Sequence, residues 1–338
     1  PAGIDSMVER ARSSLGTPGI SVALVLDDEL AWSAGYGLAD VENEVPARAD
    51  TVYRIASISK PMASTAIMQL VEAGRVDLED PVRQHVPFFP HKPLMITLRQ
   101  IMTHTSGIRH YKPGEFDIKE HFDSLESAVR IFKDDPLLFT PGTQYGYSSY
   151  AYNLLAAVVE TASGLRFDAY MKEKVWAPAG MQSTRLEKAG EIVPRRARQY
   201  VKDGPGGRVR NAPYADLSIK WAGGGIISTV EDLARFHIAL DQGKLLQPEA
   251  LAEMYTPYTL PDGSQTGYGL GWLVEKDEKG RTWIAHGGGA TGGSSYLLRY
   301  PDGKLAVAII CNVQSAGNLR QLAMDIAQAA MATDTQEN

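Results

Sequence analysis

Ser57-Ile58-Ser59-Lys60-Pro61-Met62-Ala63-Ser64-Thr65-Ala66-Ile67-Met68-Gln69-Leu70-Val71-Glu72-Ala73-Gly74 sets a hydroxyl and an amine three residues apart at the head of an apolar run. Ile58, Met62, Ile67, Leu70 and Val71 fall at roughly helical spacing and Gly74 closes the run, so the pattern predicts a helix. Residues i and i+3 are neighbours on such a surface, which brings Lys60 within reach of Ser57 Oγ. Pro61 falls in the first turn, where a missing N–H costs little. Ser57 then stands at the helix start, where free backbone N–H groups favour negative charge. Alone the pattern carries little, because a chain of 338 residues contains about one S-x-x-K by composition. A Ser cap followed by a solvated Lys also accounts for it. Partners elsewhere in the chain must decide.

Outward from this helix, residues 19–38 read as two strands about a polar turn at Asp27-Asp28-Glu29. Residues 77–216 carry helical stretches broken by Pro and Gly. Strand signals return after Gly267, in LGWLVEK, RTWIAHGG, SSYLLRYP and KLAVAIICNV, and an amphipathic helix follows from Asn318. Strands, then helices, then strands is the order of an α+β fold: one antiparallel sheet whose two sequence halves flank a helical insertion, with terminal helices covering the sheet. The expected division is a sheet region of 1–76 and 217–338 and a mainly helical region of 77–216, with the site at their interface. Gly223-Gly224-Gly225 reads as a structural turn, since neither G-x-G-x-x-G nor a Gly-Lys-Ser/Thr ending is present. Ser228 with Glu231, or Thr229 with Asp232, forms a capping signature for the helix beyond it.

Composition narrows the function. At 44% hydrophobic, 22% charged and net charge −6, without a Lys/Arg stripe, the chain is globular and unsuited to nucleic acid or anionic membrane. Arg195, Arg196 and Arg198 read as a solvated loop face. Cys311 is the single cysteine, which excludes an intrachain disulfide, and its apolar neighbours predict a buried strand thiol. No apolar run is long enough to cross a bilayer. The chain begins at Pro1, so an upstream signal segment is one expectation, and with it a periplasmic or secreted location.

Two further constellations bear on Ser57 and Lys60. Tyr145, Tyr147, Tyr150 and Tyr152 flank small hydroxyl residues just before a helix, and sequence alone leaves open which phenol shuttles a proton and which are core rings. His286-Gly287-Gly288-Gly289 at the end of a strand offers free backbone N–H groups, or else a glycine-rich hairpin with a surface histidine. The seven histidines show neither H-E-x-x-H nor a tight ligand triplet, so no metal or other cofactor is expected. His104 lacks a G-x-S-x-G partner.

Taken in order, S-I-S-K, Y-S-S and H-G-G resemble the three active-site elements of the serine β-lactamase and penicillin-binding protein superfamily. RIASISKPM, THTSGIRHY, FTPGTQYGYSSYAYNLLA, GGGIISTVEDLARF, YGLGW and HGGGATGGSSYLL look like its class C β-lactamase, esterase and D-peptidase branch. The resemblance implies Ser57 as acylated nucleophile, Lys60 as its proton acceptor and Tyr147 as proton relay. Gly289 N–H and Ser57 N–H would form the oxyanion hole, and Ser149, His286 and Gly288 would line the substrate. Ser149 replaces the usual Asn, and His286 replaces Lys, so the cation near a substrate carboxylate becomes pH-dependent. The expected function is therefore a cofactor-free serine hydrolase of esters or amide and peptide bonds, with weak or no β-lactam turnover. The alternative is a penicillin-binding sensor or a filament-forming subunit with residual activity. Self-association is left open.

Overall fold

The computed structural model describes residues 3–204 and 207–334; Pro1 lies outside them. The strands are β1 (Gly19–Leu26), β2 (Glu29–Asp40), β3 (Val45–Pro46), β4 (Tyr53–Arg54), β5 (Arg185–Leu186), β6 (Tyr200–Lys202), β7 (Val209–Asn211), β8 (Ile226–Ser228), β9 (Leu273–Lys276), β10 (Thr282–Ala290), β11 (Gly293–Tyr300) and β12 (Leu305–Cys311). The longer helices are α1 (Ile4–Leu15), α2 (Ser59–Glu72), α3 (Ser149–Ser163), α4 (Val230–Asp241) and α5 (Leu319–Asp334).

Asp27 and Asp28 both take left-handed backbone angles, as a two-residue hairpin turn requires, and close β1 onto β2. β1 also pairs with β12, so the sheet runs β3-β2-β1-β12-β11-β10-β9 and joins the two sequence halves in one antiparallel layer. Alternation divides its faces. Ile20, Val22, Leu24, Leu305, Val307 and Ile309 pack with α1 and α5, while Ala23, Ala306 and Ala308 face the helical region. Those alanines let α4 lie close against β1 and β12.

α2 packs against α3 of that region, with Lys60 through Met68 all buried. A solvated lysine is thus excluded. The histidine-glycine segment also differs from the hairpin reading: β10 runs on through Ala290, and the turn is Thr291-Gly292. Gly223 lies in a single helical turn, Trp221–Gly224. Thr229, rather than Ser228, caps α4 by accepting the Asp232 N–H. Cys311 is buried and free. Among the described residues no helix is long and apolar enough to cross a membrane.

Candidate active site

Ser57 sits in a 3₁₀ turn, Ala56–Ile58, that joins β4 to α2. Ala56 is held at φ 48, a conformation that costs an L-residue about 1–2 kcal/mol. The bend is fixed by Ser59 Oγ donating to the Ala56 carbonyl at 2.7 Å. Three residues on, Lys60 Nζ is 2.9 Å from Ser57 Oγ, 2.9 Å from Ser149 Oγ and 2.6 Å from the Gly223 carbonyl. Its partners are two hydroxyls and a carbonyl, none of them a carboxylate. Burial lowers the amine's pKa well below the ordinary value, and the positive charge of Lys220 lowers it further. A neutral amine donates to Gly223 O and Ser149 Oγ and keeps its lone pair for the Ser57 hydroxyl.

Tyr147 lies over this amine, its ring centroid 4.7 Å from Lys60 Nζ. Burial pushes the phenol above its ordinary value, although the Ser57 and Ser149 hydroxyls partly offset this. It therefore stays a phenol and can pass a proton but not act as a standing base. The other tyrosines are engaged elsewhere. Tyr150 donates to Glu115 and Tyr152 to the Met102 carbonyl, while Tyr145 is exposed.

Two histidines set the Tyr147–Ser149 segment. His104 Nδ1 accepts the Ser148 N–H and His110 Nδ1 accepts the Ser149 N–H, both at 3.2 Å. Burial keeps both rings neutral, His110 at about 4 and His104 well below its usual range. His104 is thus a support for the tyrosine segment.

His286 requires a correction. It is buried, its Nδ1–H donates to the Gly287 carbonyl at 2.7 Å, and its Nε2 accepts from Tyr268 O–H at 2.8 Å. Burial holds its pKa down to about 3. It is therefore a neutral hydrogen-bonding ring at ordinary pH, not a titrating cation. Lys220 is the second amine of the neighbourhood. It is buried, donates to the Phe116 carbonyl at 2.7 Å between the Tyr111 and Phe116 rings, and is lowered by burial to about 8.

Gly288 packs on the nucleophile turn, where an added Cβ would lie 2.4 Å from the Ile55 carbonyl and 2.3 Å from Ser295 Oγ. Gly289 faces open space. Because the Thr291-Gly292 loop makes Ala290–Gly293 the hydrogen-bonded pair, the ladder alternation turns the Gly289 N–H away from β11. That edge lies beyond the end of β9, which pairs no further than Ala285.

The sequence reading missed Gly223 O and Tyr268. Both lie in segments, GGGIISTVEDLARF and YGLGW, that carried the resemblance without an assigned role. Among the described residues no cluster of His, Cys, Asp or Glu could hold a metal ion.

Comparison with known proteins places the chain among relatives of the same fold. A family model described as Beta-lactamase matches residues 4–331. The human mitochondrial serine beta-lactamase-like protein LACTB is 34% identical over 95% of this chain and 78% of its own length. An octameric penicillin-binding protein homologue from Pyrococcus abyssi superposes with a TM-score of 0.85 at 26% identity, covering 97% of this chain and 77% of that one. A D-stereospecific amidohydrolase from Streptomyces sp. gives 0.80 at 29% identity, covering 95% and 96%.

Proposed function

The chain belongs to the beta-lactamase family, and from that membership we propose that it is a serine hydrolase working through an acyl-enzyme on Ser57. Family and fold support a serine-hydrolase-type mechanism and enzymatic activity. The observation that carries the finer reading is the buried Lys60 amine, without a carboxylate partner, 2.9 Å from Ser57 Oγ. As Oγ attacks an ester or amide carbonyl, its proton passes to the neutral amine. The oxyanion is held by the N–H groups of Ser57 and Gly289. Tyr147 hands a proton to the leaving group as it takes one from the Lys60 ammonium, which returns the amine to its neutral form, and water later releases the acyl chain by the reverse relay. Ser149 and Gly223 O aim the lysine's lone pair, and Tyr268 with the Gly287 carbonyl fixes the His286 tautomer.

The substrates in this reading are esters and amide or peptide bonds, the latter supported by the likeness to an amidohydrolase. β-Lactam turnover is weak, since a neutral His286 supplies no charge for a substrate carboxylate. The octameric relative supports extending the reading to self-association, which sedimentation at rising concentration tests. After exposure to an activated acyl ester, mass spectrometry is expected to place an adduct on Ser57. Ser57→Ala is expected to lower turnover about 10⁴-fold or more. Normal turnover by that variant sinks the mechanism, and rapid penicillin hydrolysis sinks the β-lactam half.

A further inference from the structure

The two N–H groups assigned to the oxyanion come from different sheets. Ser57 follows β4 in the small β4-β8-β5 sheet, and Gly289 lies in β10 of the large one. Backbone ladders therefore fix each donor within its own sheet but not the gap between them. An oxyanion needs donors about 2.7–3.1 Å away. A misplacement of about 1 Å costs on the order of 10²-fold in rate.

Ser21 Oγ of β1 and Tyr53 Oη of β4, 2.8 Å apart, tie the sheets farther along, and two side chains bridge them beside the donors. Ser295 Oγ donates to the Ile55 carbonyl at 2.7 Å, two residues before Ser57. Arg54 Nη1 donates to the Thr291 carbonyl at 2.8 Å, two residues after Gly289. The backbones are already close here, for an added Cβ on Gly293 would lie 3.0 Å from Arg54 Cβ and from its carbonyl oxygen.

Resting on the acyl-transfer reading, we propose that Arg54 is a positioning residue whose buried guanidinium, fastened by Glu187, sets the gap between the Ser57 and Gly289 N–H groups. The side chain is 5% exposed. Nε and Nη2 grip Glu187 at 2.6 and 3.1 Å, while Nη2 also donates to the Ala215 carbonyl at 3.1 Å. A planar fork makes these contacts at once, whereas an ammonium is a point charge without it. The tie extends further. Thr291 Oγ1 donates to Asp117, and Ala215 opens the segment that reaches Gly223, whose carbonyl accepts from Lys60. One guanidinium thus holds the oxyanion strand, the nucleophile strand and the segment that orients the base, without touching Ser57.

A positioning role of this kind acts on the transition state more than on the bound substrate. The test compares an ester substrate with phenylboronic acid. On binding, Ser57 Oγ adds to boron, its proton passes to Lys60, and the tetrahedral adduct places an oxygen between the two N–H groups. Arg54→Ala, checked for folding by thermal melt, is expected to lose about 10²-fold in kcat and in boronate affinity, with KM within about threefold. Guanidinium ion should restore about tenfold of this loss. Its route is the cavity of about 490 Å³ lined by Arg54, Glu187 and Arg196. Unchanged boronate affinity, or equal damage to kcat and KM without rescue, overturns the proposal. If Arg54→Ala does not fold, Glu187→Gln keeps the volume but loosens the fork. It is expected to weaken the boronate about tenfold at constant KM, and wild-type affinity there also overturns it. Failure of the boronate to bind the wild-type protein overturns the acyl-transfer reading itself, and this inference with it.

Discussion

Arg54 and Lys60 lie on either side of Ser57, both buried, and the protein treats their charges in opposite ways. Arg54 is clamped by the Glu187 carboxylate and two carbonyls. Lys60 has two hydroxyls and a carbonyl, and burial drives it toward the neutral amine. A buried cation given a carboxylate stays charged and becomes a fastener, while one denied a carboxylate gives up its proton and becomes a base. The contrast also explains the choice of residue, because a guanidinium is always charged and an amine is not.

The strongest way to break this contrast is to put the fixed charge where the adjustable one belongs. Lys60→Arg keeps a cation three residues from Ser57 but cannot accept a proton. kcat for ester hydrolysis is expected to fall about 10³- to 10⁴-fold. Stopped-flow acylation rates check this, and near-normal rates would mean that Lys60 acts only by its charge.

A gentler alteration gives Lys60 the partner that Arg54 has. Ser149→Asp places a carboxylate beside Nζ, which favours the ammonium and raises the lysine pKa. The neutral base then exists only at higher pH, so the acidic limb of kcat/KM moves upward. At pH 7 the loss is about 10²-fold, recovered as pH rises. A profile superimposable on the wild type would show that Lys60 need not be neutral.

The smallest effect concerns stability. His286, kept at about 3 by burial, takes up a proton on unfolding at the ordinary histidine value of 6.5. The unfolded state binds more protons between those values, so this histidine costs nothing above pH 6.5 and destabilises the fold as pH falls toward 3. The slope is about 1.4 kcal/mol per pH unit. Urea midpoints measured across that range should fall less steeply for His286→Gln, whose amide can still meet Tyr268 and Gly287. An unchanged slope would place the acid sensitivity elsewhere.

Much of this was readable before the structure, for identifiable reasons. α2 and the nearness of Lys60 to Ser57 follow from spacing, although Ser57 itself lies in the 3₁₀ turn before the helix and the pair gained weight only from the resemblance. The sheet order follows from the placement of strand runs before and after the helical region. Tyr147 was different: four tyrosines share one short segment, spacing does not choose among them, and the resemblance pointed to Tyr147, which the folded loop, pinned by His104 and His110, sets over Lys60. His286 misled because glycine on one side reads as a turn. Its buried state depends on Tyr268, eighteen residues earlier on another segment. The Arg54–Glu187 pair spans 133 residues, a distance at which no periodicity operates.

The pairing of β1 with β12 sets an order of assembly. Ile20 meets Cys311 across nearly the whole sequence, so the large sheet cannot close until β12 is available. Helical contacts in the middle of the chain are local and need not wait, whereas closing so long a loop carries an entropic cost that slows folding. Thr291, in the turn between β10 and β11, and Ser295, in β11, brace the nucleophile turn and lie on the late side of that closure. During synthesis, then, Ser57 and Lys60 emerge early, and the strand that carries Gly289 comes into place only with the final strands.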